Sequence, residues 1–332
     1  IAGALGVSKA TVHRDIERAE IGSGEPISPD RVIRQGGGTY PARRPTVVAA
    51  KNEREAERAQ QALALIGDDT PAAPVLEVRD VERAARQKER EERTVALTQR
   101  AREIDDDSPV QVRQMDCMDL IASLDDGSVS LLLTDPPYNV TDHEWDTWPS
   151  DEEYWRFTRE WLGALQPKMA DEFTAFVFCD ADASPQMHQA LVDTGWPVLR
   201  QAIWHRPNLA KKRSGSMTFL SSYEPFWHAG TRGLFLPDEW GEERFDVQRV
   251  VVPQSTHAAD PSYHPTQKPL MLFRRLVSIG SRPGELVVDP FVGAGTTAVA
   301  CQMEGRRCLA GDQSAEYVQI TLGRLAQARE AE

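Results

Sequence analysis

The chain of 332 residues has few cysteines and lacks the long apolar runs of membrane proteins. Its four cysteines, Cys117, Cys179, Cys301 and Cys308, form no CxxC pair, so we expect neither disulfides nor a metal site. No apolar stretch approaches the roughly 20 residues that span a bilayer. We therefore expect a soluble, cytoplasmic protein without a membrane partner.

Basic side chains are also scarce, because 38 Lys and Arg stand against 51 Asp and Glu, a net charge of −13. DNA affinity depends largely on phosphate neutralisation, so this balance argues against a polyanion partner. The acidic excess, however, is concentrated between residues 111 and 200. A basic cluster without intervening acid follows, and it predicts a phosphate-contacting loop, with an ordinary solvated loop as the alternative. The cluster comprises His205, Arg206, Lys211, Lys212 and Arg213.

The first 20 residues resemble the second half of a helix-turn-helix. Gly6 would supply the tight turn and Ser8 would cap the following helix. Lys9, Thr11 and Arg14 would then face DNA, and a bacterial or phage origin would suit such a fusion. The alternative is an ordinary capped helix. We expect the natural protein to extend upstream of residue 1 and residues 21–107 to form a linker and a charged helical spacer.

Residues 108–332 alternate short apolar strands with helices, which predicts an α/β domain with a Rossmann-like, mostly parallel sheet covered on both faces. Seven strands are expected, at 110–115, 129–134, 173–179, 198–204, 223–228, 285–289 and 307–312.

The tetrapeptide Asp135-Pro136-Pro137-Tyr138 follows the apolar run 129–134. Two consecutive prolines exclude helix and sheet, so this turn presents a carboxylate, a carbonyl and an aromatic ring together. The exocyclic amine of a nucleobase offers two N–H donors and a flat ring, which match these groups. The turn is therefore interpreted as the catalytic loop of an amino-methyltransferase, with a rigid strand-ending turn as the alternative.

A glycine turn follows the strand predicted at 285–289. It contains Gly293 and Gly295, which allow a ligand to approach the backbone at a strand end. Its spacing also fits the dinucleotide fingerprint of a nicotinamide oxidoreductase. Asp289 favours S-adenosylmethionine instead, because that cofactor carries positive groups and no phosphate. Asp312, at the end of the next strand, is the candidate ligand of the ribose, with a helix cap as the alternative.

Together, the motifs resemble those of the DNA adenine-N6 and cytosine-N4 amino-methyltransferases over residues 110–325. The resemblance rests on Asp116, the 135–138 tetrapeptide, the 264–269 segment, the 289–295 turn and Asp312. The catalytic motif precedes the cofactor motif, as in the circularly permuted β class. Two positions depart from the family pattern, since Met115 replaces a usual glycine and Ser314 a usual acid.

The resemblance implies S-adenosylmethionine as cofactor and double-stranded DNA as substrate, with a homodimer left open. Asp116 would bind the cofactor adenine, and a target-recognition region would lie at about 205–263, with Asn139 near the DNA. For 266–269, helix capping remains the alternative. The remaining cofactor-binding residues implied are Thr266, Gln267, Lys268, Asp289, Pro290, Phe291, Gly293, Gly295, Thr296 and Asp312.

The expected reaction transfers a methyl group to adenine N6 after the base flips out of the duplex. Asp135 and the Pro136 carbonyl would accept both N–H bonds of the amine, and Tyr138 would stack on the base. An aspartate in the first position is commoner in adenine enzymes of the family. The alternatives are cytosine-N4 methylation and a non-catalytic protein that binds DNA through the helix-turn-helix.

Overall fold

The structure is a computed structural model, and it describes residues 31–33, 39–41, 48–49, 53–66, 76–101, 108–141, 146–208, 219, 221–253, 263 and 266–331. The chain divides into two compact units, Ile1–Arg93 and Thr94–Glu332. Within the described residues, no helix is long and apolar enough to cross a membrane. In the same ranges, no group of three or more His, Cys, Asp or Glu side chains is arranged to hold a metal ion.

The described residues of the first unit form two short strand pairs and two helices. Its buried side chains are small or aliphatic and join the two helices across their facing sides. They are Ala59, Ala62, Ile66, Val81 and Ala85. The elements, in chain order, are β1 (Arg31–Ile33), β2 (Thr39–Pro41), β3 (Val48–Ala49), α1 (Glu53–Ile66), β4 (Leu76–Glu77) and the first part of α2 (Val78–Arg100).

The second unit is built on one eight-stranded sheet, in the order β10-β8-β9-β7-β6-β11-β12-β5. Of these strands, β9 alone runs antiparallel to its neighbours. The strands are β5 (Val110–Gln114), β6 (Val129–Thr134), β7 (Met169–Phe178), β8 (Val198–His205), β9 (Tyr223–Gly230), β10 (Val247–Arg249), β11 (Leu286–Asp289) and β12 (Arg307–Asp312).

Helices cover both faces of this sheet. They are α3 (Cys117–Ala122), α4 (Asp151–Leu165), α5 (Ser184–Asp193), α6 (Leu270–Gly280), α7 (Thr296–Met303) and α8 (Ala315–Ala331), with 3-10 turns at Gln166–Lys168 and Glu242–Arg244. Successive residues of β6 point to opposite faces, as strand geometry requires. Leu131 and Leu133 therefore enter the core beneath α6, whereas Leu132 enters the core shared with α4.

The α/β class and the mostly parallel sheet are thus confirmed, and all seven expected strands are present. The expected count of seven is corrected to eight, because Val247–Arg249 adds β10 beside β8. This strand has only three residues, too few for an alternating pattern to distinguish it from a loop.

We expect Leu132→Ala to lower the free energy of unfolding of the sheet unit by about 2–5 kcal/mol, since it opens a cavity in a fully buried strand. Leu199→Ala is the matched control, because Leu199 lies on β8 with 56% of its surface exposed. Its effect should stay within about 0.5 kcal/mol. Urea denaturation followed by tryptophan fluorescence measures both, and equal losses would contradict this assignment of the core.

Candidate active site

Four neighbouring parallel strands, β6, β11, β12 and β5, end at the same edge of the sheet. The candidate motifs lie at these strand ends, which is where open α/β sheets bind ligands. Asp135 follows β6, Asp289 ends β11, Asp312 ends β12 and Asp116 follows β5. The Thr134 hydroxyl donates to the Asp289 carboxylate over 2.7 Å, which joins the first two of these ends.

A cavity of about 650 Å³ opens at this edge. All the sequence-predicted catalytic and cofactor residues except Asp116 and Gly295 line it. They are Asp135, Pro136, Pro137, Tyr138, Thr266, Gln267, Lys268, Asp289, Pro290, Phe291, Gly293, Thr296 and Asp312. The fold therefore places motifs that are up to about 180 residues apart in the sequence around one space.

Asp146 fixes the backbone of the turn that begins with the tetrapeptide. Its two carboxylate oxygens accept from the backbone N–H groups of Tyr138, Asn139, Val140 and Thr141, over 2.6, 2.7, 3.1 and 2.8 Å. Only 2% of Asp146 is exposed. The turn contains Asn139 at φ +59°, a left-handed conformation that side chains other than glycine seldom adopt. These four hydrogen bonds hold that conformation.

The Asp135 carboxylate lies in a buried network of charges. Lys268 Nζ contacts Asp135 Oδ2 and Glu224 Oε1, each over 2.6 Å. The Tyr138 hydroxyl forms a short hydrogen bond with Asp135 Oδ1 and lies 2.8 Å from Glu224 Oε1. Arg206 Nη1 lies 3.5 Å from Glu224 Oε2. Two carboxylates are therefore balanced by two cations.

This environment shifts the proton affinities of the network. Burial raises the pKa of Asp135, and the Lys268 ammonium opposes that rise. Burial lowers the pKa of Lys268, but the carboxylates of Asp135 and Glu224 outweigh it and raise that pKa overall. Burial, together with the same two carboxylates, raises the pKa of Tyr138 well above its usual range. Lys268 thus stays charged, and the Tyr138 hydroxyl stays a hydrogen-bond donor.

Asp289 is a buried acid held by hydroxyl groups. The hydroxyls of Thr134 and Thr297 and the backbone N–H of Phe291 donate to its carboxylate. Burial raises the pKa of Asp289 to about 7, although these hydrogen bonds lower it. A positively charged ligand in the cavity would favour the ionised form.

The glycine turn is held by Asp312 and by close packing. The Gly293 and Ser314 backbone N–H groups donate to the Asp312 carboxylate over 3.1 and 2.8 Å, and burial raises the pKa of that carboxyl. Gly295 has φ +83°, and a Cβ there would lie 2.5 Å from the Thr321 side chain. Gly295 therefore has a packing role behind the cavity wall.

Asp116 caps α3, because its carboxylate accepts from the Met118 backbone N–H over 2.8 Å. Its second oxygen accepts from the Gln313 side-chain amide in a short contact. Gln313 itself lines the cavity. Asp116 thus lies one side chain behind the cavity surface, where it orients Gln313.

The 266–268 segment and the aromatic wall complete the cavity. Gln267 accepts from the Tyr263 backbone N–H over 2.9 Å, and the Lys268 carbonyl accepts from the Thr296 hydroxyl over 3.3 Å. The Phe291 ring packs edge-on against Trp161, with ring centres 5.3 Å apart. The hydrogen bond between Thr296 and Lys268 ties the segment before α6 to the start of α7, directly after the glycine turn.

The structure describes only Asn139 and Arg206 among the residues predicted to contact DNA, and it places these two differently. Asn139 lies between the cavity-lining residues Tyr138 and Val140, and its side-chain oxygen accepts from the Trp148 backbone N–H over 3.1 Å. Arg206 is directed inward to Glu224, and its guanidinium also donates to the Tyr223 carbonyl over 2.9 Å. Lys9, Thr11, Arg14, Lys211, Lys212 and Arg213 lie outside the described residues.

Sequence reasoning missed Asp146 and Glu224. Asp146 is one of several acids in the segment after the tetrapeptide, and nothing in the pattern distinguishes it. Glu224 is a lone acid at the start of an otherwise apolar strand, which is the signal that could have found it. Its position at the carboxyl edge follows only from the antiparallel direction of β9.

Acids at adjacent strand ends, a glycine turn and the tetrapeptide 135–138 surround one cavity. This arrangement is typical of Rossmann-like enzymes that bind nucleotides. A family model described as DNA methylase, covering the N6 and N4 enzymes, matches residues 129–323. The chain belongs to this DNA methylase family.

The chain is similar to the type II methyltransferase M1.MboII of Moraxella bovis, with 26% identity over 63% of the chain and 93% of that protein. It is similar in fold to the crystal structure of an M1.HpyAVI complex with S-adenosylmethionine, at 22% identity and a TM-score of 0.53, over 65% of this chain and 98% of that one. The cytosine-N4-specific PvuII DNA methyltransferase gives 17% identity and a TM-score of 0.56, over 64% and 85%.

The resemblance expected from the motifs is therefore confirmed, as is the Rossmann-like fold. The nicotinamide oxidoreductase considered for the glycine turn does not fit a chain of this family. The family model covers N6 and N4 enzymes alike, so membership of the family does not choose between adenine and cytosine.

We expect Asp146→Ala to expose the 138–141 backbone, because four N–H groups lose their acceptor. Each buried group left unpaired costs about 1–3 kcal/mol, so the turn should open locally. Hydrogen exchange measured by mass spectrometry should show faster exchange in peptides that cover 138–141.

Asp182→Ala is the control for this change, because Asp182 is an exposed acid beyond the end of β7. Unchanged protection of 138–141 in Asp146→Ala would show that the carboxylate does not hold the turn.

Proposed function

We propose that this protein transfers a methyl group from S-adenosylmethionine to the N6 amine of adenine in double-stranded DNA. One observation carries the proposal. The catalytic carboxylate of Asp135 and the cofactor-type glycine turn after Asp289 line the same cavity at the ends of two paired strands. Methyl transfer requires donor and acceptor to meet in such a shared space.

The residues present fit S-adenosylmethionine. The cofactor has positive sulfonium and ammonium groups and no phosphate, and the cavity presents the carboxylates of Asp289 and Asp312. Of the described cavity residues, Lys268 is the one basic side chain, and two carboxylates already pair with it. A pyrophosphate would thus meet acids without a free cation. When bound, the cofactor supplies an electrophilic methyl group.

Asp135 and Pro136 would act on the target amine. The lone pair of an adenine N6 is delocalised into the ring, so the amine is a weak nucleophile. Acceptance of its two N–H bonds by the Asp135 carboxylate and the Pro136 carbonyl draws the nitrogen toward tetrahedral geometry. S-adenosylmethionine held beside Asp289 and Asp312 would supply the methyl group to this lone pair and would leave as a neutral thioether, and the methylated amine would release one proton to solvent. Aligned reactants gain about 7–11 kcal/mol from positioning alone.

The target base would have to leave the duplex, because its amine is otherwise paired with the opposite strand. Tyr138 follows the two prolines and lines the cavity, where its ring can stack on the extruded base. Stacking of an aromatic ring on a base contributes about 1–3 kcal/mol. Asn139, together with exposed residues of the 205–263 region, is proposed to contact the DNA around that base.

Adenine is proposed because the tetrapeptide begins with aspartate, the residue commoner in adenine-specific enzymes of this type. Cytosine N4 is the second candidate, since it presents the same amine chemistry. The protein is incubated with tritium-labelled cofactor and two sets of duplexes, one that offers adenine and one that offers cytosine as the target base. Label recovered in N6-methyladenine is the expected result, and label in N4-methylcytosine would overturn the choice of base.

We expect Asp135→Asn to lower kcat by about 100-fold to 1,000-fold, the usual cost of one lost electrostatic contact in a transition state. The affinity for S-adenosylmethionine should change little. Asp171→Asn is the control, because Asp171 is exposed near the amino end of β7, at the opposite edge of the sheet. Single-turnover methylation with calorimetric cofactor binding tests both, and full activity of Asp135→Asn would exclude Asp135 as the catalytic carboxylate.

The affinity for S-adenosylmethionine should rise with pH through Asp289. Its pKa of about 7 in the free protein means that the carboxyl is largely protonated at pH 6 and ionised at pH 8. Because a cationic ligand prefers the ionised form, the dissociation constant should fall across this range by up to about tenfold per pH unit below the pKa.

Asp289→Asn serves as the reference, with its dissociation constant for S-adenosylmethionine measured by calorimetry at the same pH values. The ratio of the two dissociation constants is independent of the titration of the ligand itself. A constant ratio between pH 6 and pH 8 would contradict the role of Asp289.

A further inference from the structure

Both oxygens of the Asp135 carboxylate are occupied by protein donors. Oδ2 contacts Lys268 Nζ over 2.6 Å, and Oδ1 accepts a short hydrogen bond from the Tyr138 hydroxyl. The function proposed above requires Asp135 to accept an N–H of the target amine. The Tyr138 hydroxyl carries one proton and occupies one acceptor site on Oδ1, so its departure would open that oxygen further to the incoming amine.

Glu224 contacts these same two donors. Its Oε1 lies 2.6 Å from Lys268 Nζ and 2.8 Å from the Tyr138 hydroxyl. Each donor that engages Asp135 thus has a second acceptor already within hydrogen-bond distance. The side chain of Glu224 is 12% exposed, so water can replace this acceptor only in part.

Tyr138 is the donor that can leave at the lower cost. Its hydroxyl is neutral, whereas the Lys268 ammonium is 4% exposed and would lose one of its two carboxylate partners in a buried place if it left Asp135. The Lys268 contact also joins two opposite charges, whereas the Tyr138 contact joins a neutral hydroxyl to a charge. Lys268 is therefore expected to stay on Oδ2 while Oδ1 becomes free.

We propose that Glu224 is a positioning residue for methyl transfer, which receives the Tyr138 hydroxyl and shares Lys268 when the target amine binds Asp135. The inference rests on the proposed function and adds to it the step that prepares Asp135. No bond other than hydrogen bonds changes. The tyrosine keeps its proton and changes acceptor, and the amine N–H takes the vacated place on Oδ1.

Neighbouring contacts fit Glu224 for this exchange. Arg206 Nη1 lies 3.5 Å from Glu224 Oε2, the oxygen not used by Lys268 and Tyr138. Arg206 is itself held by the Tyr223 carbonyl and the Ser221 hydroxyl, over 2.9 and 3.1 Å. The carboxylate is thus oriented from behind, with Oε1 directed at the catalytic turn. The tyrosine ring can stay in place while its hydroxyl shifts between two acceptors.

Two substitutions separate this role from simple ion pairing. Glu224→Gln keeps an oxygen that accepts from the Tyr138 hydroxyl but removes the charge, whereas Glu224→Ala removes both. We expect kcat to fall about 10-fold in Glu224→Gln and about 100-fold in Glu224→Ala, with cofactor affinity and KM for DNA nearly unchanged. Equal losses in the two variants would overturn the exchange.

Tyr138→Phe provides the coupling test, because phenylalanine keeps the stacking ring and has no hydroxyl to move. In that background, Glu224→Ala should lower kcat by only about 10-fold, so the two changes should be clearly non-additive. The same 100-fold loss in both backgrounds would contradict the proposal. Glu172→Gln is the control, since Glu172 is an exposed acid near the amino end of β7.

The titration of Asp135 gives a readout that does not depend on activity. The groups that face it are Lys268 from the segment before α6, Glu224 on β9, Tyr138 in its own turn, Asp289 at the end of β11 and Cys179 after β7. Of these, the Glu224 carboxylate raises the pKa of Asp135. Its removal should shift the Asp135 titration to lower pH.

Carboxyl ¹³C NMR of the full chain measures this shift, with the Asp135 signal assigned from Asp135→Asn. A lower midpoint in Glu224→Ala, and an acid limb of the kcat profile that moves with it, support the proposal, whereas an unchanged midpoint overturns it. If the wild-type chain methylates no DNA, the proposed function fails by itself, and the NMR midpoint still reports whether Glu224 acts on Asp135.

Discussion

The parallel pairing of β6 with β11 is the constraint on which the candidate site depends. Leu131 and Leu132 lie in register with Val287 and Val288, so the two strands end side by side. The hydrogen bond from Thr134 to Asp289 then closes the gap between the two motifs. Residues about 150 positions apart in the chain become neighbours because two buried hydrophobic strands pair. The chemistry of the cavity is thus set by the packing of the sheet beneath it.

Two acids outside the tetrapeptide control this edge of the sheet. One fixes the backbone geometry and the other balances the charge. Asp146 accepts four backbone N–H groups and so gives a proline-rich turn a single conformation. Glu224 balances the cations that surround Asp135. Buried polar groups are costly unless every one is paired, so both acids are required by the low exposure of the site. Stability and catalysis therefore depend on the same contacts.

The sequence predicts the sheet and the cavity well, because apolar strands and strand-end motifs are local signals. The 289–295 turn, Asp312 and the tetrapeptide can each be read without tertiary information. Glu224 cannot be predicted in this way, because its place at the cavity depends on the antiparallel direction of β9. The strand β10 is missed because its three residues are too few to show a pattern. Asp116 illustrates a different limit. The family resemblance implies that Asp116 binds the cofactor adenine, and the contacts of its carboxylate with the start of α3 and with Gln313 become visible only in the structure.

The antiparallel direction of β9 has a consequence for how such a protein can diversify. His205, the last residue of β8, pairs with Tyr223, the first residue of β9, so the chain leaves and re-enters the sheet at one point of the cavity rim. The sheet therefore imposes no length on the intervening residues. An insertion or replacement there would leave every strand register intact. A lineage could exchange the segment proposed to meet the substrate and keep the strand ends that line the cavity.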